Sequence, residues 1–328
     1  MKRVLVTGSA GFVGANFVEY LLEKDPNIKI VGLDSLRHMG DSQRITKNDR
    51  FYHFTHDLNT PITEVLSAKI GYIDGIINIA SESAIDRSIS NPDSVILNNV
   101  NLILNILDFA RRKKVDKFIH LSTDEVYGQY YDVPHKEWAK IVPSNPYSAS
   151  KACQEAIAIS YWRTYGIPLS IVNCQNMFGK RQNPEKMIPK TIKYLHEGKT
   201  IPIYANNGKS GTRKYIHVQN LCSAILFVAR RDVTKYKGLD TEELPDRYHV
   251  GGHDEIDNIT LVRLIAHHMG KVADYQLVDE KQIRPGYDKK YALDDNKLKC
   301  LGWEPELNFQ DSLKDVIDWT LKNSEWMS

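Results

Sequence analysis

The sequence predicts an α/β protein: a doubly wound parallel sheet with helices on both faces, joined to a smaller, discontinuous C-terminal unit. Three observations predict it. Short apolar runs alternate with helical patterns from the first residues onward, a glycine cluster joins the first run to the first helix, and the texture changes after Asn173.

Arg3 to Thr7 is apolar and ends in glycines, a helical pattern follows to about Lys24, and Lys29 to Leu33 is apolar again, which reads as a β-α-β unit. Further strand-like runs fall at Phe51 to Thr55, Gly75 to Ala80, Lys117 to Ser122 and Leu169 to Asn173, each separated by enough chain for a helix. In the segment Ser94 to Lys113, Ser94, Asn98, Asn101, Asn105 and Asp108 share one narrow arc. Val95, Leu102, Ile106 and Phe109 form one apolar stripe, and Ile96, Val100, Ile103 and Leu107 form another. One sheet face needs only a single stripe, so either a partner subunit or an insertion of the same chain must cover the second. Beyond Asn173 come prolines at 184, 189 and 202 and the loop Asn206 to Thr212, then a strand-plus-helix pattern over Lys214 to Arg231. The expected units are 1–173 with about 210–235, and about 174–209 with 236–328.

Composition narrows the function. The 328 residues suffice for one or two cores without a disulfide or metal staple. Forty-three Lys plus Arg against 41 Asp plus Glu leave +2, far from the field of a nucleic-acid or membrane-surface binder, and neither partner is expected. No apolar run approaches the ~20 residues of a membrane span, and the first residues form no signal-type apolar region, so the expected compartment is the cytoplasm. Cys153, Cys174, Cys222 and Cys300 form no C-x-x-C pair; reduced thiols and no metal site are expected.

The loop Thr7-Gly8-Ser9-Ala10-Gly11-Phe12-Val13-Gly14 joins strand to helix, where backbone N–H groups and the positive helix end can receive a pyrophosphate. Asp34 closes the second strand, where a carboxylate accepts both ribose hydroxyls and repels a 2′-phosphate. A Rossmann-type site preferring NAD follows, with Arg37 as a nearby charge to account for.

Tyr147 and Lys151 stand four apart behind Pro146, so phenol and ammonium project from one helical face. A cation there favours phenolate, and tyrosine needs a depressed pKa to serve as a base for an alcohol as hydride leaves. Thr123, Asp124 and Glu125 follow directly on the fifth strand, at the sheet edge where such folds bind ligands. Beside a hydride-transfer pair, one neutral acid and one ionised base are what an elimination requires.

These residues resemble the extended short-chain dehydrogenase/reductases, and within them the nucleoside-diphosphate-hexose 4,6-dehydratases. The resemblance runs almost end to end, through the glycine loop, Asp57-Leu58, Ala80 to Ile89, Ser122 to Gly128, Tyr147 to Lys151, Pro184 to Pro189, Ile201 to Tyr204, and Arg284 to Gly286. It implies NAD held by Gly8, Gly11, Phe12, Val13, Gly14, Asp34, Asp57, Leu58, Ala80, Tyr147 and Lys151. It also implies a nucleotide-diphosphate sugar held by Ser83, Asn176, Lys186, Tyr204, Arg213 and Arg284, and a homodimer. Tyr147, with Lys151 and Thr123, would take the C4 hydroxyl proton; Glu125 the C5 proton; and Asp124 would protonate the departing C6 hydroxyl. A 4-epimerase of the same family would use Tyr147 and Lys151 and leave the acids idle, and a non-catalytic NAD sensor would need none of the acids. The chain departs from the dTDP-glucose pattern at Ala84, Lys180 to Gln182, Lys214 and Tyr287. Base and sugar are read there, so dTDP, UDP and GDP, and hexose or N-acetylhexosamine, all stay open.

Overall fold

The computed structural model describes residues 1–130, 132–232, 243–252, 255–279, 286 and 288–327. Arg284 and Tyr287 lie outside them. Strands β1 (Arg3–Thr7), β2 (Lys29–Asp34), β3 (Phe51–Thr55), β4 (Gly75–Asn78), β5 (Lys117–Thr123) and β6 (Leu169–Cys174) form where the apolar runs predict them. They build a parallel sheet of order β11-β6-β5-β4-β1-β2-β3, whose edge strand β11 is Asp246–Val250. Strand order reverses between β1 and β4, which opens a crevice beyond their carboxyl ends.

Helices α1 (Phe12–Lys24), α2 (Glu64–Ile70), α3 (Ile85–Ser90), α4 (Pro92–Lys113) and α5 (Pro146–Tyr165) connect these strands. One sheet face is covered by α1 and by α7 (Val218–Ala229), where Phe17, Leu21, Leu221 and Ile225 are buried on Val4, Val6 and Ile119. The other is covered by α4 and α5, where Ile103, Ile106, Phe109 and Trp162 bury Leu5, Ile76 and Phe118.

The structure assigns the two stripes of α4. Ile103 and Leu107 are buried in one cluster with Ala158 and Trp162 of α5, a helix of the same chain, whereas Leu97 (59%) and Leu104 (37%) stay exposed. The middle of the polar arc faces the 58–59 loop: Asn98 and Asn101 bond Asn59, and Asn105 donates to the Leu58 carbonyl, while Asp108 at its end pairs with Arg111 and Arg112 on the surface.

A smaller lobe follows. Strands β7 (Asn176–Phe178), β10 (Thr212–His217) and β12 (Glu255–Asp257) make one three-stranded sheet, and β8 (Ile201–Asn206), β9 (Lys209–Ser210) and β13 (Tyr275–Asp279) make another. They pack with α6 (Met187–Glu197), α8 (Asn258–His268) and α10 (Phe309–Lys322) around Ile188, Ile192, Leu261, Ile265 and Leu313, while short α9 (Asn296–Cys300) lies by β11. Periodicity marks strands without saying which sheet they join. Thus β11, read from sequence as part of the second unit, closes the large sheet, and β10, read as part of the first, pairs in the small lobe. Among the described residues no helix is long and apolar enough to cross a membrane.

Candidate active site

A cleft of about 420 Å³ lies at the strand-order reversal, within the range of small-molecule sites. Its floor is the glycine loop. Gly8 follows β1 at φ +69°, and a Cβ there would sit 3.0 Å from the Ala80 backbone. A Cβ on Gly14 would come within 2.0 Å of the Gly8 carbonyl oxygen, so this glycine lets α1 start hard against the loop. Helix α1 has Gly11 as its N-cap and no capping side chain, leaving the first-turn N–H groups to an anionic ligand.

Asp34, at the end of β2, accepts from the Ala10 N–H (2.9 Å) and the Leu36 N–H (2.8 Å). Arg37 lies 2.6 Å from Asp57, so its charge is already neutralised by a carboxylate. Burial acts against the Asp57 charge, but the Asn59 amides and Arg37 outweigh it and hold the group below the usual carboxylate range. Thr7 Oγ1 donates to Asn78 (2.7 Å) and accepts from the Ile79 and Ala80 N–H groups (3.1 Å each), fixing Ala80 beside the loop. The uncapped helix end, the Asp34 carboxylate and the side-chain-free floor fit a dinucleotide such as NAD.

Strand β5 delivers Thr123 to the cleft, and a 3-10 turn carries Asp124 to Tyr127. Thr123 Oγ1 accepts from the Glu125 N–H (3.3 Å) and donates to Asp124 Oδ1 (3.2 Å), while Asp124 Oδ2 has no partner among the described residues. Burial, and then the charge of Glu125, push the Asp124 carboxyl up to about 8, against the opposing pull of Arg213 and the Thr123 hydroxyl. At neutral pH Asp124 holds its proton.

Helix α5 begins in a capping box: the Ser148 N–H donates to the Asn145 side chain (2.9 Å), the Asn145 N–H to Ser148 Oγ (3.1 Å), and Pro146 fills the first turn. Tyr147 and Lys151 therefore face the cleft together. The expected lowering of the phenol is corrected here. Burial, Glu125, Cys174 and Asp124 hold Tyr147 well above its ordinary value. The ammonium that should oppose them is engaged elsewhere: Lys151 Nζ donates to the Leu121 carbonyl (2.9 Å) and to Gln154 Oε1 (2.7 Å), and burial pushes it down to about 8.

The far wall carries Ser83, Asn176, Lys186, Tyr204 and Arg213. Lys186 Nζ donates to the Ser83 carbonyl (2.9 Å). Arg213 turns both Nη groups onto the carbonyls of Thr212, Asp288 and Lys289 (2.7–2.9 Å), so its fork anchors the 288–289 segment while its charge borders the cleft. Of the basic departures, Lys180 pairs with Asp315 (2.7 Å) and Arg181 with Glu19, and neither lines the cleft; Gln182 does.

Sequence reasoning missed the residues behind Lys151. Gln154 Nε2 donates to the Asn99 carbonyl (2.7 Å), and Asn99 bonds Ser150 and the Glu82 backbone. Nothing in their spacing marks them, because the link joins α5 to α4 through packing.

Fold and site together define a dinucleotide-dependent dehydrogenase of the extended short-chain type, with an acid pair added beside its Tyr–Lys pair. A profile of GDP-mannose 4,6 dehydratases matches residues 5–316. A low-salt glycan biosynthesis protein, Agl12, of Haloferax volcanii is 36% identical, covering 98% of this chain and 99% of that protein. A dTDP-glucose 4,6-dehydratase of Streptomyces antibioticus is 33% identical over 99% of this chain and 94% of its own length. A dTDP-glucose 4,6-dehydratase of Streptomyces venezuelae, crystallised with NAD bound, superposes with a TM-score of 0.89 at 31% identity, covering 99% of this chain and 98% of that one. The chain belongs to the GDP-mannose 4,6-dehydratase family, the nucleotide-sugar 4,6-dehydratases of the extended short-chain dehydrogenase/reductases.

Proposed function

We propose that this NAD-dependent enzyme converts a nucleotide-diphosphate hexose or N-acetylhexosamine, carried on dTDP, UDP or GDP, into the 4-keto-6-deoxy sugar. The carrying observation is a buried pair of adjacent carboxyls, Asp124 and Glu125, in the cleft that holds Tyr147 and Lys151. An epimerase has no use for that pair.

Bound NAD would supply a hydride acceptor for C4 and, once reduced, a hydride donor for C6. The chain's own groups handle the protons. Tyr147 would take the C4 hydroxyl proton as phenolate, a form that the positive charge of bound NAD would favour against the burial and the carboxyls that raise the phenol, with Thr123 and Lys151 beside it; a C4 ketone then acidifies C5. Glu125 takes the C5 proton while Asp124 protonates the C6 hydroxyl, which leaves as water; Glu125 then returns a proton to C5. Two adjacent carboxyls divide these roles because like charges at short range disfavour double ionisation. Gly8, Gly11, Phe12, Val13, Gly14, Asp34, Asp57, Leu58 and Ala80 would hold the cofactor. Ser83, Asn176, Lys186, Tyr204 and Arg213 would hold the sugar nucleotide, Arg213 by its charge while three of its N–H groups hold backbone carbonyls.

A homodimer through α4 and α5 is part of this reading, supported by Leu97 and Leu104 on the exposed side of α4. So is the cytoplasm, supported by four unpaired cysteines. The test is incubation with dTDP-, UDP- and GDP-linked glucose, mannose and N-acetylglucosamine, read by mass spectrometry without added NADH. One product lighter by a water is expected. Isomers of unchanged mass would establish the epimerase instead.

A further inference from the structure

Behind the acid pair lies a buried array that the proton transfers do not use. Arg247 on β11 is 1% exposed, and its Nη2 lies 2.8 Å from Oε2 of Glu155, which is fully buried. Glu155 is one helical turn beyond Lys151 on α5, so the pair ties the helix of Tyr147 and Lys151 to the sheet edge. Isolating two charges from water is costly, and an apolar pair of similar shape would usually stabilise a fold at least as well. The array therefore calls for a role besides stability.

Its remaining bonds lead to the catalytic turn. Glu155 Oε1 accepts from Asn173 Nδ2 (2.7 Å), and the same amide donates to the Thr123 carbonyl (3.0 Å). Arg247 Nη1 donates to the Tyr127 hydroxyl (2.8 Å), which also lies 2.8 Å from His249 Nε2 and donates to the Glu137 carbonyl (3.0 Å). The guanidinium rests over Trp138, 4.3 Å from the ring centroid. Thr123 and Tyr127 bracket Asp124 and Glu125, so one guanidinium reaches both ends of the acid-bearing segment: Tyr127 directly, and Thr123 through Glu155 and Asn173. Burial acts against its charge, but Glu155 and Tyr127 hold Arg247 above its ordinary range, and burial pushes His249 down to about 3. The charge is permanent and its neighbour neutral, as a fixed clamp requires.

We propose that Arg247 is a positioning residue for the elimination: with Glu155 and Asn173 it clamps the Thr123–Tyr127 segment and holds the Asp124 and Glu125 carboxyls in register with Tyr147 and Lys151. This rests on the dehydratase reading above. A misplaced acid pair slows loss of water more than oxidation at C4, because Tyr147 and Lys151 keep their own capping box and their own bonds to Leu121 and Gln154 even where Thr123 shifts with the segment.

The test uses the NAD-loaded enzyme with Arg247→Met and with the double variant Glu155→Gln/Arg247→Met. The double variant leaves no charge buried alone and keeps an amide for Asn173, so it guards against simple misfolding. With the sugar nucleotide that the wild type turns over, both variants should lose about 10²-fold in kcat with KM little changed, the size expected of an ångström-scale misplacement. Bound NADH absorbance should rise as the oxidised sugar waits. Hydrogen exchange followed by mass spectrometry should accelerate at 123–127 and not across the chain. Wild-type turnover and partition, or exchange that is unchanged or raised evenly, overturns the proposal. If the wild type turns over none of the sugars, the functional reading fails, and the exchange pattern alone decides the clamp: local acceleration supports it, any other pattern overturns it.

Discussion

Replacing Asp124 by asparagine tests the proton held by this carboxyl, through stability as well as turnover. The amide of the variant keeps an acceptor for the Thr123 hydroxyl and removes only the titration. In the folded chain the carboxyl is pushed up to about 8, whereas an unfolded chain releases its proton near 3.9. Between those values the unfolded state binds fewer protons, so wild-type stability falls as pH rises and levels off only above the folded value. The slope from this group is about 1.4 kcal/mol per pH unit, so pH 5 to pH 8 spans roughly 4 kcal/mol as a ceiling. Glu125 shares part of the release, which lowers the expected span to about 2–4 kcal/mol. Urea unfolding of wild type and Asp124→Asn across that range should show the variant gaining on the wild type as pH rises. Its turnover should fall by about 10²–10⁴-fold, the range of a lost general acid. Parallel stability curves would mean that Asp124 is ionised in the folded enzyme, and the assignment of the acid would be wrong.

Glu125→Gln should still oxidise C4, seen as bound NADH absorbance, while product falls by about 10²-fold or more; undiminished turnover would remove Glu125 from the mechanism. In heavy water the product should carry deuterium at C5, and protium retained there would contradict proton removal from that carbon. Gly14→Ala places a methyl 2.0 Å from the Gly8 carbonyl oxygen, so it should cost about 1–3 kcal/mol by overpacking and weaken NAD binding, read by thermal unfolding with and without NAD. A variant as stable and as tightly bound as the wild type would show that the loop has room the geometry denies.

The strands of the large sheet, the glycine loop, Asp34, the acid pair and the Tyr–Lys pair could all be read from the chain, because each is set by local spacing: two residues per strand repeat, 3.6 per helical turn, and loop residues beside them in sequence. Tertiary structure alone decided what depends on neighbours far along the chain. Which sheet β10 and β11 join, and which side of α4 meets the 58–59 loop, follow from packing. The phenol of Tyr147 is high because two carboxyls and a thiol from other elements crowd it while Lys151 turns to Leu121 and Gln154. The ion pair and hydrogen bonds linking Arg247, Glu155, Asn173 and Thr123 come from four elements spread over more than 120 residues. No periodicity announces such a contact, because burial and charge pairing act through space and leave no regular interval in the sequence.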